Sequence, residues 1–285
     1  MTRRLVFLAA ACLALGSASA QGPKSDDQGR IAAALGKIKP QRPHVVDAFV
    51  IVAALDADPV FAREAREAGR VLASRFDAEG RTIVLAEDEG AARADAAGTP
   101  IHLTMALERT AALMDRNEDV LVLYATSHGT PHAGLNYKHD VHGTGVISPG
   151  QLAGMLDAHR LQNRLIIIQA CYSGQFVPVL ATPRTVVATA ASSMNPSFGC
   201  SPGNDWTFFG HALINQAMRQ ADTFARQFRR ALVTIIGWEQ KLGIEPSNPQ
   251  IRIGSESSGW LAALDARGHA VPATPVGRPP SELAR

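Results

Sequence analysis

Apolar runs that alternate with helix-start signals constrain the fold of this chain most strongly. Asp58-Pro59, Thr99-Pro100 and Ser148-Pro149 each place a capping side chain before a proline at the first helical position. The apolar runs between these signals suit strands that are buried on both faces. Strands alternating with helices predict an α/β fold, in which a mostly parallel sheet carries helices on both faces. The predicted strands cover residues 45–55, 82–85, 120–125, 165–170 and 185–189.

The composition supports a single globular domain. Of the 285 residues, 46% are hydrophobic and 19% are charged, which excludes the disordered and fibrous classes. We expect this domain over 44–268, after a loose N-terminal lead-in over 21–43 that is rich in charge, Gly and Pro. Within it, two further helices are expected over 206–219 and 223–242. A flexible Pro-rich tail is expected over 269–285.

The first twenty residues have the pattern of a cleaved signal peptide. Arg3 and Arg4 precede an apolar run over 5–15, and small residues then lead to an expected cleavage site after Ala20. The run is too short to cross a bilayer core of about 30 Å, so no stable membrane insertion is expected. The chain is therefore expected to be secreted or periplasmic. A lipoprotein modified on Cys12 is the alternative.

Charge and cysteine content narrow the function classes. Cleavage after Ala20 removes Arg3 and Arg4 and leaves 26 basic against 26 acidic residues. A neutral chain without a basic patch gives no indication of nucleic-acid binding. Cys171 and Cys200 then remain, and they allow one disulfide but no Cys-x-x-Cys metal site.

Two predicted strands end in reactive residues. One runs from Val120 into Ser127-His128-Gly129, and the other from Leu165 into Gln169-Ala170-Cys171. Ligands bind outside the carboxyl ends of parallel strands, so neighbouring strands would bring His128 and Cys171 together. An imidazole can take a thiol proton and return it to a leaving amine. The backbone amides of Gly129 and Cys171 are candidate donors to an oxyanion.

Other interpretations of these residues remain open. A cysteine after apolar residues is often a core residue, and Cys200 is expected to be buried or disulfide-bonded. A thiol metal or redox site is disfavoured, because no resolving cysteine lies two or three residues away. Neither a metal nor another cofactor is expected. One Gly-rich stretch contains several residues that could bind a metal ion: His132, His139, Asp140 and His142. Their spacing is not that of a regular ligand set, so we interpret the stretch as a solvated hairpin.

The chain resembles the legumain family, within the peptidases that share the caspase-like fold. The sequence pattern of that group is an apolar block followed by His-Gly, and then a second apolar block followed by Ala-Cys. In this chain the segments that end at Gly129 and at Cys171 match this pattern in their order and in their separation. The similarity to the family extends to residues 187–191 and to Gly199-Cys200. Two further segments, 58–76 and 248–251, are similar to parts of bacterial family members. The resemblance covers about 45–254 and implies a caspase/legumain-like three-layer sandwich.

The resemblance also implies roles for individual residues. His128 would be the base, Cys171 the nucleophile and Gly129 an oxyanion donor. Gln169 would line the specificity pocket, where legumains carry a glutamate that helps them recognise asparagine. Asp56 is a loosely aligned candidate for the residue that supports the histidine. The other wall of the pocket would be formed by Ala191 and Ser192.

These roles imply a cysteine endopeptidase that hydrolyses peptide bonds through a thioester acyl-enzyme. Its partners would be protein or peptide substrates. A transpeptidase or ligase of the same family is one alternative, since an amine can replace water in attacking the thioester. A catalytically silent binding protein with the same fold is the other, and the intact His128 and Cys171 count against it.

Overall fold

The computed structural model describes residues 23–269, 271–280 and 283. The predicted signal peptide over 1–20, including Cys12, lies outside the described residues, so secretion stays a prediction. No helix in the described part of the chain is long and apolar enough to cross a membrane.

The described chain alternates between strands and helices as the apolar pattern predicts. The helices are α1 (Pro23–Gly36), α2 (Pro59–Arg75), α3 (Pro100–Leu113), α4 (Pro149–Ala158), α5 (Val177–Leu180), α6 (Phe208–Gly210), α7 (Phe224–Leu242) and α8 (Ser258–Arg267). The strands are β1 (Ala48–Ala54), β2 (Thr82–Leu85), β3 (Val120–Thr126), β4 (Gly129–Thr130), β5 (Gly134–His139), β6 (Gly143–Ile147), β7 (Arg164–Gln169), β8 (Thr185–Thr189) and β9 (Gln250–Ile253).

A six-stranded sheet in the order β2-β1-β3-β7-β8-β9 forms the centre of the fold. All neighbouring pairs are parallel except β8 and β9, which are antiparallel. Every residue of β1, β3 and β7 is buried. The predicted α/β fold with a mostly parallel sheet is therefore confirmed. Strands β4, β5 and β6 form a separate antiparallel sheet between β3 and α4.

Two apolar cores lie on opposite faces of the central sheet, because successive strand side chains point to opposite faces. Val50 and Val52 of β1 pack into the core that α2, α7 and α8 cover. Phe49 and Ile51 pack into the core that α1, α3 and α4 cover. This alternation explains why the buried strands are continuously apolar.

The helix-start signals have different outcomes at the side-chain level. The side chain of Thr99 accepts a hydrogen bond from the amide of His102, and Ser148 forms a complete capping box with Gln151. Asp58 precedes α2 as expected, yet its side chain makes no capping hydrogen bond. The carboxylate of Asp58 is therefore available to another group.

The terminal segments differ from the sequence-based expectation. The lead-in over 21–43, expected to be loose, contains α1, which buries Ile31 completely against the sheet. Residues 271–280 of the expected tail form no helix or strand but are docked, since the carbonyl of Val276 accepts a hydrogen bond of 2.8 Å from the indole of Trp206. The apolar side chains of these short segments pack against other parts of the chain only after it has folded, so their order is not visible in the local sequence. Strand β9 and helix α8 are further elements that periodicity did not predict.

The helix expected over 206–219 is broken into three short pieces. Helix α6 is followed by a π-helical turn over His211–Gln216 and a 3₁₀ turn over Ala217–Arg219. This segment is anchored at Thr207, whose amide and hydroxyl both donate to the buried carboxylate of Glu64.

Glu64 connects the start of α2 to the end of β3. Its carboxylate also accepts hydrogen bonds from the hydroxyls of Tyr124 at 2.5 Å and Thr126 at 2.9 Å. Burial raises the pKa of the Glu64 carboxyl, and the hydrogen bonds from Tyr124, Thr207 and Thr126 oppose that rise. This network holds the N-terminal part of α2 next to the strand that leads to His128.

Candidate active site

His128 and Cys171 lie at the same edge of the central sheet. They follow β3 and β7, which are adjacent and parallel, with Thr126 paired to Gln169 at the ends of the two strands. Beyond these strands the amide of Ser127 still donates to the carbonyl of Gln169 at 3.0 Å. The structure thus brings the two predicted reactive residues together, as the strand pattern indicates.

Gly129 lies directly against the backbone of Cys171. A Cβ added at Gly129 would overlap the carbonyl oxygen of Cys171 and lie 2.9 Å from its carbonyl carbon. The side-chain amide of Gln175 joins the same two segments, because it donates to the carbonyls of Thr130 at 3.2 Å and Tyr172 at 3.0 Å. Only glycine permits so close an approach of two backbones at this edge.

The imidazole of His128 is held by two side chains from the start of α2. Its Nε2 lies 2.9 Å from the Oδ2 of Asp58, and its ring packs edge-on against Phe61 with 4.9 Å between ring centroids. A carboxylate can only accept, so Nε2 carries the proton and Nδ1 keeps its lone pair when the ring is neutral. None of the described residues hydrogen-bonds to Nδ1, which leaves this nitrogen able to accept a proton.

Asp58, rather than Asp56, is the acidic partner of His128. In the sequence, Asp58 has the pattern of a helix cap, and Asp56 is the candidate for the residue that supports the histidine. In the structure Asp56 accepts a hydrogen bond of 3.0 Å from the amide of Asp58. Asp56 therefore orients the turn, and Asp58 contacts the imidazole. An acidic residue just after a buried strand is the sequence feature that could have identified Asp58 as the partner of His128. The Asp58-Pro59 pair is also a typical helix start, so the sequence did not distinguish the two roles.

The thiol of Cys171 is half-buried and bonded to the loop after β8. Its Sγ lies 3.4 Å from the carbonyl oxygen of Ser197 and accepts from the amide of Ser197 at 3.3 Å. Burial raises the pKa of the Cys171 thiol, and the hydrogen bond from the Ser197 amide opposes this effect. Because the resting group is then a neutral thiol at pH 7, it needs a base to become nucleophilic. The next residue, Tyr172, has a left-handed backbone with φ of 57°.

The residues predicted to line a specificity pocket lie at the ends of the neighbouring strands β7 and β8. Gln169 and Ala191 are buried, and Ser192 is half-buried at the end of β8. The amide of Ala191 donates to the hydroxyl of Ser173 at 3.1 Å, which ties this loop to the turn after Cys171. The Oε1 of Gln169 is buried and has no hydrogen-bond partner in the described part of the chain. A buried amide oxygen without a partner in the chain is a group that an ordered water or a bound molecule would satisfy.

Two expectations about other reactive residues hold only in part. Cys200, expected to be buried or disulfide-bonded, is half-buried against the core and is not joined to Cys171. The Gly-rich stretch does form a hairpin, but its histidines are not all solvated. His139 and His142 have only 12% and 20% of their side chains exposed, whereas His132 is exposed.

A surface cavity elsewhere does not indicate an alternative site. It has a volume of about 750 Å³, opens beside α2 and is lined by residues that include Arg63 and Arg66, but not by His128 or Cys171. Both arginines are already paired with Glu89. The cavity therefore lacks the converging reactive groups that the sheet edge carries.

The chain has similarities to known proteins in structure and in sequence family. The chain is similar in structure to caspase-1 from Spodoptera frugiperda, with 14% identity and a TM-score of 0.49 over 76% of this chain and 92% of the caspase. No curated protein sequence matches the chain. The model of the Peptidase C13 family matches residues 102–258, more than half of the chain and the part that contains His128 and Cys171. The predicted resemblance is confirmed: the chain belongs to the Peptidase C13 family, the legumain family of cysteine peptidases.

Proposed function

We propose that this protein is a cysteine endopeptidase in which His128 and Cys171 act as a dyad. The observation that carries the proposal is the close contact between Gly129 and Cys171 at the ends of two parallel strands. It supports an arrangement in which a base, a thiol and two backbone amides surround one position at the sheet edge. A substrate carbonyl at that position would meet all the groups that acyl transfer requires.

The proposed reaction begins from the neutral thiol. Nδ1 of His128 takes the proton from the Sγ of Cys171, and the thiolate attacks the carbonyl carbon of the scissile peptide. The amides of Gly129 and Cys171 stabilise the oxyanion of the tetrahedral intermediate. The protonated His128 then donates its proton to the departing amine, which leaves a thioester on Cys171. Water activated by His128 hydrolyses the thioester and restores the thiol.

Asp58 completes this proposal as a positioning residue. It fixes the imidazole with the proton on Nε2, and its charge stabilises the imidazolium that forms when Nδ1 accepts the thiol proton. Its carboxylate is partly exposed, with 30% of the side chain accessible. Solvent screening therefore makes the charge less effective than that of a fully buried carboxylate.

The pocket residues suggest a substrate that offers a hydrogen-bond donor. Gln169 is uncharged, so it does not supply the negative charge that a glutamate would give the pocket. We infer that its unpaired Oε1, which is buried in this structure, accepts from an N–H or O–H of the substrate residue before the cut once that residue enters the pocket. We therefore propose a polar, uncharged side chain at that substrate position, bounded by Ala191 and Ser192.

Covalent labelling tests the proposed nucleophile. A peptide carrying an alkylating group at its carboxyl end should modify Cys171 once per chain, as mapped by mass spectrometry. For a small alkylating reagent without a peptide, the rate should rise as the pH is raised above neutrality, because burial raises the thiol pKa. Peptide-directed labelling confined to Cys200 would contradict this assignment, and a His128→Ala variant should label much more slowly at neutral pH.

Replacement of Asp58 tests the positioning role. Asp58→Asn should lower kcat by about 10- to 100-fold while KM and the thermal midpoint change little, because the imidazole loses its charged partner and not its packing. Asp56→Asn is the matched control, since Asp56 contacts a backbone amide rather than His128. Equal losses in the two variants would assign the effect to the loop and reject a specific role for Asp58.

A further inference from the structure

We propose that Asp27, His102 and His142 form a binding site for a divalent transition-metal ion, with Zn²⁺ as the best-matched ion. One ligand atom from each residue lies within 4.8 Å of the other two. The three residues come from α1, from α3 and from the turn between β5 and β6. They lie outside the group formed by His128 and Cys171.

The spacing of the ligand atoms fits a tetrahedral ion. The Oδ2 of Asp27 lies 3.2 Å from the Nε2 of His142 and 3.5 Å from the Nε2 of His102. Zinc–ligand bonds of about 2.0–2.1 Å place two ligands of a tetrahedral site about 3.3 Å apart. Two imidazoles and one carboxylate are a common zinc ligand set, and a fourth position remains for water.

The orientation of His102 points to a cation at this position. Its Nδ1 lies 2.9 Å from the carbonyl oxygen of Ala97 and must carry the proton, because a carbonyl can only accept. The Nε2 of the neutral ring is then a lone pair facing the carboxylate of Asp27. Two acceptors at 3.5 Å in a buried environment repel each other unless a proton or a metal ion lies between them. His102 is only 2% exposed, and a carbonyl partner of this kind is the usual support for a metal-bound histidine.

His139 supports the turn without being a ligand. Its Nδ1 accepts hydrogen bonds from the amides of Val141 and His142, both at 3.1 Å. Its Nε2 therefore carries the proton and is paired with Glu87 at 3.1 Å. The ring of His139 also packs on that of His142, with 4.6 Å between the centroids. These contacts hold His142 in the direction of Asp27 before any ion binds.

Zinc titration of the metal-stripped protein tests the site. We expect calorimetry to show one Zn²⁺ bound per chain and the thermal midpoint to rise by about 5 °C at 100-fold excess over Kd. His142→Ala and Asp27→Asn should abolish both effects. These two side chains are partly exposed, so the variants keep the fold, and the test does not depend on the buried His102.

Two control variants exclude other zinc positions. His132→Asn changes an exposed histidine near the same hairpin, and asparagine tolerates the positive φ of 58° at this position. This variant should bind zinc like the wild type.

A second group of residues is also close enough to share an ion: Asp56, Asp58 and His128. Binding that survives His142→Ala but is lost in His128→Ala would overturn the proposal, as would the absence of a zinc anomalous peak between α1 and α3 in zinc-soaked crystals. A thermal midpoint that responds to pH but not to zinc would show that a proton occupies the site instead.

Discussion

Cys171→Ala is expected to abolish peptide cleavage while the protein remains folded. The variant lacks the only atom in the proposed mechanism that can form the acyl-enzyme, and loss of a covalent nucleophile typically lowers kcat by about 10⁴-fold or more. The fold should persist because Cys171 is half-buried and the hydrogen bonds of its thiol are to one loop residue, Ser197. Cleavage of a peptide library, followed by mass spectrometry, measures the effect and also gives the residue preference before the cut.

The control for this experiment is Cys200→Ala, which should cleave the same library at the rate of the unmodified protein. Cleavage by Cys171→Ala at that rate would reject the thiol mechanism. If the unmodified protein cleaves nothing and is not labelled by the peptide probe, the chain is a silent member of its family. A strong preference for asparagine before the cut would agree with a neutral hydrogen-bonding pocket, whereas a preference for a basic residue would contradict the role given to Gln169.

Gly129→Ala is expected to lower kcat/KM by about 10²- to 10³-fold, the size of the loss when one oxyanion donor is removed. The added methyl group would overlap the carbonyl oxygen of Cys171, so the two backbone segments must separate. Both proposed oxyanion amides belong to these segments and would move with them. The same strain should lower the free energy of unfolding by about 1–3 kcal/mol. Steady-state kinetics and thermal melting measure the two effects.

Gly154→Ala provides the matched control for added volume at a glycine. Nothing lies within 4 Å of the position that its Cβ would take in α4. Alanine favours a helix over glycine by about 1 kcal/mol, so this variant should be as stable as the wild type or slightly more stable, with full activity. A Gly129→Ala protein with unchanged kinetics would show that the contact with Cys171 has no part in catalysis.

The central sheet was predictable because burial on both faces leaves a continuous apolar run. β1 is apolar along its whole length, whereas β3 ends in Thr126 and β7 has Arg164 and Gln169 at its two ends. The ends of β3 and β7 then located His128 and Cys171. Strand β9 was not predictable in this way, since it lies at the sheet edge and three of its four residues are exposed. The lead-in helix α1 was not predicted for a related reason. It is short and mostly polar, and its few apolar residues become buried only when the helix packs against the folded sheet.

The sequence by itself determined the alternation of strands and helices, because this alternation follows from the local pattern of apolar residues. It also determined that His128 and Cys171 share one edge of the sheet, because parallel strands end at the same edge. Only the tertiary structure decided which groups surround them. Asp58 has the pattern of a helix cap, and its contact with His128 requires α2 to pack beside β3. His102 and His142 lie on separate elements, and Asp27 lies in a segment expected to be loose. Such contacts between distant residues depend on packing, which no local spacing along the chain records.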